Sequence, residues 1–209
     1  MSNVLYIKAS PRTGRSHSVA VADAFLNSYS QANPADKINT VDIFRTDLPP
    51  FDSEAVNAKY KIMHGAEHND QDKKSWNEIV SVIEQFKAAD KYVLAVPMWN
   101  FSIPYRLKQY IDILVQPGYT FGVKEDGSYE GLVKDKPIVV IYARGGQYQN
   151  TEAEPFDMQK KYMEQILGFM GFTDIRSIVV EPTLASGPDV AKQKQNEAIE
   201  TAKKMAKDF

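Results

Sequence analysis

The sequence predicts an open α/β fold: one five-stranded parallel sheet, doubly wound, with helices on both faces. Three observations carry this. Strand-length apolar runs alternate with helical patterns along all 209 residues. Several of the runs are unbroken, as strands covered on both faces of a parallel sheet read. Right-handed crossovers then leave few topologies, and the order 2-1-3-4-5 is the natural one for five strands.

Taken in order, Val4–Ile7 is the first strand, and Ser18–Gln31 the first helix, with Val19, Ala22, Phe25, Leu26 and Tyr29 at three- and four-residue steps. Ile38–Ile43 is the second strand. Residues 44–75 then break the rhythm with a polar stretch containing "RTDLPPFDSEAV" and "HGAEHNDQDKK". It has too few apolar residues for its own core, so it reads as loops around one helix near Ser53–His64, inserted within a single domain spanning 1–209. Trp76–Ala89 is helical through Ile79, Val80, Ile83 and Phe86. Lys91–Val96 is the third strand, followed by a helix over Ile103–Val115. Pro137–Tyr142 and Ile175–Val180 are the fourth and fifth strands, with helices Phe156–Met170 and Pro188–Lys207 after them.

Composition removes several function classes. There is no cysteine, so disulfides, thiolate metal sites and a cysteine nucleophile are excluded, and a reducing cytoplasm fits. A net charge of −2 gives no broad basic face for nucleic acid. No apolar run approaches the ~20 residues of a membrane span, and the N-terminus has no signal-peptide pattern. His64 and His68 stand four apart, but in a strongly polar stretch that reads as solvated, so no metal is expected. No "GxSxG" elbow is present, and His17 is adjacent in sequence to Ser16 and not opposite it, which argues against a hydrolase.

In open α/β sheets, ligands bind beyond the carboxyl ends of the strands where strand order reverses. That selects three loops. The first, Ala9–Ser18, contains "SPRTGRSHS" and opens a helix, where free N–H groups and the helix dipole favour an anion. Ser10, Ser16 and Ser18 can hydrogen-bond a phosphate; Arg12 and Arg15 can add charge. The competing reading is a plain helix cap. The loop has neither "GxxxxGK[ST]" nor "GxGxxG". The second, Pro97–Pro104, places Met98, Trp99, Asn100 and Phe101 after a buried strand; apolar surface beside amide donors suits a flat ring. A satellite hydrophobic cluster would read the same. The third, Ala143–Thr151, carries Gly145 and Gly146, which allow close backbone approach, and Arg144, whose cation could face the pyrimidine edge of a flavin. An ordinary glycine turn is the alternative. Together the loops describe a receptor for a planar ring with a single phosphate. FMN has that shape; FAD would need a further site for its adenosine half.

"YIKASPR", the spaced serines after it, "VPMWNFSIP" and "RGGQY" resemble the FMN-dependent NADH:azoreductases, also described as NADH:quinone oxidoreductases. The similarity covers nearly the whole chain and implies a flavodoxin-like fold. It implies homodimers with one FMN per subunit, which reduce azo compounds and quinones by a ping-pong mechanism with NADH or NADPH as donor. By position, Ser10, Ser16, His17 and Ser18 would hold the phosphate, His17 through its backbone. Pro97 stiffens the second loop, and Met98, Trp99, Asn100 and Phe101 would hold the ring, with Gly145 and Gly146 near its pyrimidine end. Some relatives carry a pocket tyrosine just after "TF". Here Val123 stands there, leaving Tyr119 and Phe121 as the nearest aromatic pocket candidates, with core packing as the competing view. No side chain is expected to act as an obligatory acid or base, because the chemistry belongs to the flavin. The alternative function is a flavodoxin-like electron carrier. Such carriers tend to be strongly acidic, and −2 is not.

Overall fold

The computed structural model describes residues 1–12 and 14–209; Thr13, within the first expected loop, lies outside them. A parallel sheet runs in the order β2-β1-β3-β6-β7, built from β1 (Asn3–Lys8), β2 (Lys37–Asp42), β3 (Lys91–Pro97), β6 (Ile138–Ala143) and β7 (Ile175–Val180). With the hairpin β4 (Phe121–Val123) and β5 (Tyr129–Gly131) set aside, this is the expected 2-1-3-4-5 order. Both faces are covered, which explains the unbroken apolar runs: along β1, Leu5 and Ile7 enter one core, and Val4 and Tyr6 the other. The first core packs α3 (Asp70–Lys87), α4 (Tyr105–Leu114) and α5 (Met158–Met170) through Ile79, Leu107 and Met163. The second packs α1 (His17–Ala32) and α6 (Gly187–Met205) through Phe25 and Ala202.

Two differences from the expected elements have clear causes. The 44–75 segment does hold a helix, α2 (Ser53–Met63), but α3 begins at Asp70, not at Trp76. Asn69 and Asp72 form a reciprocal capping box, which starts the helix before its apolar stripe does. The hairpin β4–β5 was not expected as strands. It turns at Asp126–Gly127, where Gly127 takes φ 82° and the Asp126 carboxylate accepts hydrogen bonds from the Ser128 amide and hydroxyl.

Parallel register brings the carboxyl ends of β1, β3 and β6 side by side: Lys8 pairs with Ala95, and Pro97 with Ala143. All three expected loops therefore emerge at one end of the sheet. Among the described residues, no helix is long and apolar enough to cross a membrane.

Candidate functional site

The first loop leaves β1 with the Ala9 amide donating to the Ala95 carbonyl (3.0 Å). Ser16 sits at the N-cap of α1, and its Oγ accepts from the Val19 amide (3.4 Å). Ser18 is fully buried, with its Oγ 3.3 Å from that of Ser16. It thus steadies Ser16 and does not line the cleft, contrary to its expected phosphate contact. The imidazole of His17 turns away to Gln195, with Nδ1 2.7 Å from its Oε1. What His17 offers the cleft is backbone, at the positive end of a helix.

The second loop contains a two-residue turn. Trp99 and Ser102 exchange both backbone hydrogen bonds (2.9 and 2.9 Å), and the residues between them, Asn100 (φ 47°) and Phe101 (φ 68°), are both left-handed. Asparagine tolerates this; a bulky aromatic residue rarely does, and such strain persists where surroundings enforce it. Here the Phe101 carbonyl accepts from the Met158 amide (3.0 Å), and its ring lies against Tyr148 and Phe156. Trp99 packs beside Phe44 and Tyr105. Asn100 lines a neighbouring groove of about 780 Å³ with Phe51, Trp99, Tyr105 and Tyr162.

The third loop corrects the expectation for Arg144. Its side chain is wholly buried and committed elsewhere: Nη2 lies 2.7 Å from Asp157, Nη1 3.1 Å from Glu181, and Nε donates to Gln159 (3.0 Å). A guanidinium enclosed by two carboxylates is a structural anchor, not a cation facing a ring edge. Gly145 does line the cleft, and its carbonyl accepts from the amides of Leu184 (3.0 Å) and Ala185 (2.9 Å). Gly146 packs against Tyr148. Tyr119 and Phe121 also depart from expectation. Tyr119 packs edge-on to Trp76, and Phe121 lies between Tyr129 and Phe169, so neither lines the cleft of its own chain.

What the loops enclose is a cleft of about 290 Å³ at the point of strand-order reversal. One end is polar, with Ser10, Arg12, Ser16 and the start of α1; the other is apolar, with Pro97, Met98, Trp99 and Leu184. Arg12 also lines the cleft. Thr183 and Leu184 join it too, and no local pattern announced them. They arrive because the Thr183 amide donates to the Arg144 carbonyl (2.9 Å), which folds the turn after β7 over the third loop. Among the described residues, the amides of Gly145 and Gly146 donate to no protein acceptor. Backbone donors left free beside an apolar wall, and hydroxyls at a helix N-terminus, fit a flat heterocycle carrying one phosphate. No cluster of three metal-ligating side chains occurs among the described residues.

An open parallel sheet with such a cleft at its switch point defines a flavodoxin-like, phosphate-and-ring binding protein. The family model for the flavodoxin-like fold matches residues 2–206. The chain is 56% identical over the full length of both proteins to an FMN-dependent NADH:quinone oxidoreductase of Nitratidesulfovibrio vulgaris. It superposes on an azoreductase from Bacillus anthracis with a TM-score of 0.92 at 34% identity, covering 100% of each chain. A second B. anthracis structure, an FMN-dependent NADH-azoreductase in complex with FMN, gives 0.87 at 29% identity, with 99% of this chain and 100% of the other covered. The chain belongs to the family of FMN-dependent NADH:quinone oxidoreductases and azoreductases.

Proposed function

We propose that this chain is an FMN-dependent oxidoreductase that takes electron pairs from NADH and passes them to quinones and azo compounds in a ping-pong cycle. The cleft carries this reading: polar at the α1 end, apolar at the Trp99 end, with free glycine amides between. The names of the full-length relatives support it. Bound FMN would supply the chemistry, accepting hydride from one partner and returning two electrons to the next.

The chain's own residues bind, orient and shield. Ser10, Ser16 and the amides at the start of α1 hold the phosphate, with Arg12 adding charge. Pro97 and Met98 give the ring an apolar wall, and Trp99 and Leu184 close its sides. The amides of Gly145 and Gly146 meet its polar edge, and Asn100 stands beyond Trp99 in the neighbouring groove. Protons come from water, so no side chain is assigned as general acid or base. Flat acceptors need only stacking room, which favours broad specificity. NADPH is the alternative donor.

The aromatic rim, Trp99, Phe101, Tyr105 and Phe156, is exposed beside the cleft. Monomers rarely leave such a cluster open, so we assign it to contact with a second copy in a homodimer. A cytoplasmic setting, where nicotinamide donors are available, fits this reading, and a chain without cysteine agrees with it.

The test is one cuvette. The purified protein should show flavin absorption that NADH bleaches and menadione restores. A protein that neither carries nor takes up FMN would sink the site assignment; bound flavin that NADH leaves oxidised would move the function to an electron carrier.

A further inference from the structure

The third loop is held from beneath by a carboxylate that the cofactor cleft does not contain. Glu181 follows β7 directly and is buried. One of its oxygens accepts from the Gln149 amide (2.8 Å) and the Gln147 side chain (3.3 Å). The other accepts from the Tyr148 amide (3.2 Å) and from Arg144 (3.1 Å). Two consecutive backbone amides of the loop thus converge on one side chain. Arg144 fixes that side chain in turn, since its Nε donates to Gln159 (3.0 Å), and Gln159 donates to the Val96 carbonyl of β3 (3.0 Å).

We infer that Glu181 is a positioning residue for the flavin: it clamps the amides of Tyr148 and Gln149 so that Gly145 and Gly146 present their N–H groups at a fixed place. The inference rests on the proposed flavin site. Its mechanics follow from the hydrogen bonds. The near arm of the loop is fixed by the Arg144 amide on Val180 and by the Leu184 and Ala185 amides on Gly145. Without Glu181 the far arm keeps the bonds of its own turn, from Thr151 to the Gln147 and Tyr148 carbonyls and from the Asn150 amide to Glu154, and the Phe101 ring beside Tyr148, but among the described residues no hydrogen bond ties it to the sheet. Two glycines between one fixed and one loosened arm sample more conformations. A loop ordered in advance binds with less entropic loss. Charge-assisted hydrogen bonds to a buried carboxylate are the strong kind suited to this work. The arrangement also explains why a full positive charge lies buried next to a cleft it never enters. Arg144 orients the carboxylate, and the carboxylate orients the loop.

The test separates loop positioning from plain stability. Glu181→Gln keeps the size of the side chain but replaces one acceptor oxygen with an NH2 group. Asp157→Asn removes the same formal charge from Arg144 and touches no loop amide; Asp157 instead caps α5 through the amides of Gln159 and Lys160. Gln149→Pro deletes one clamped N–H from an exposed position and leaves every buried charge in place. The readouts are amide hydrogen exchange at Tyr148 and Gln149 and the dissociation constant for FMN by equilibrium dialysis of the full chain. Glu181→Gln should speed exchange at both amides and weaken FMN binding about tenfold. Gln149→Pro should weaken it about threefold, and Asp157→Asn by less than about twofold. If Glu181→Gln lowers Tm while exchange and FMN binding stay as in the wild type, or if Asp157→Asn weakens FMN as much, the inference is wrong. Ser10→Ala tells this failure from failure of the site: weakened by Ser10→Ala alone, the site stands without the clamp; weakened by neither, both fall.

Discussion

The two ends of the central sheet are built on opposite terms. At the amino end of the strands nearly everything is satisfied locally. Phe86, Tyr92 and Phe172 form a tight aromatic cluster, with centroids 4.7 Å apart for Phe86–Tyr92 and 5.1 Å for Tyr92–Phe172. The Tyr92 hydroxyl donates to the Phe86 carbonyl (2.8 Å), and the last carbonyl of the chain, at Phe209, accepts from Lys91 (2.6 Å). At the carboxyl end the chain keeps a phenylalanine at φ 68°, two glycine amides without protein acceptors among the described residues, exposed aromatic rings and a buried arginine between two carboxylates. The same strands run through both ends, so the difference is not one of fold. It is what a binding site requires: groups left unpaired and strain left in place, held by a frame whose stability is supplied elsewhere.

The contrast can be broken by mutation. The largest effect belongs to the amino end. Phe86→Ala opens a cavity in the aromatic cluster and should cost about 3–5 kcal/mol of unfolding free energy in denaturant titrations. The folded fraction should still bind FMN as tightly as the wild type; weaker binding would mean the two ends are coupled. Next comes Ser16→Ala, which removes the cap of α1. It should cost only about 1 kcal/mol of stability, yet weaken FMN binding by an order of magnitude or so, since a phosphate hydroxyl goes with it. Comparable FMN affinity in the variant would take Ser16 out of the phosphate site.

Smaller still, and opposite in sign, is Phe101→Gly. It turns the strained pair into Asn-Gly, the dipeptide that this turn favours. Relief of the left-handed phenylalanine, worth about 1–2 kcal/mol, is partly offset by lost contact with Tyr148 and Phe156. Thermal unfolding should therefore show Tm unchanged or raised while quinone turnover drops. A fall in both would show that the ring is structural. The smallest effect is again at the amino end. The Tyr29 hydroxyl, with the Ser2 amide, holds the Asp36 carboxyl below its ordinary 3.8. A carboxyl depressed in the folded state stabilises above its unfolded value, and that contribution disappears as pH falls through the folded one. Asp36→Asn should flatten the loss of stability below about pH 4 and leave flavin binding alone; an unchanged acid slope would show the bond contributes nothing.

Much of this was legible in residue order. The apolar runs and the helical periodicity specified five parallel strands and their order, because burial on both faces leaves a pattern in the sequence itself. The serines after β1 were legible because a strand followed by a helix N-terminus is an anion site by local geometry alone. The Asn69–Asp72 capping box and the Asp126–Gly127 turn were also local signals, written in plain residue types, and reading them would have placed the start of α3 and the hairpin. Arg144 is different. Its position beside two glycines suggests a cation facing a ligand, and nothing nearby in sequence announces Asp157 and Glu181. Those two carboxylates reach it only because β6 and β7 pair in register and α5 packs over β6. Thr183 and Leu184 enter the cleft for the same reason; Phe121 lies outside it because the hairpin docks beside α5, and Tyr119 because it packs on Trp76 of α3. Periodicity fixes which face of an element is buried. Only the packing of elements distant in the chain decides which charges meet inside, and that settled whether an arginine binds a ligand or anchors a loop.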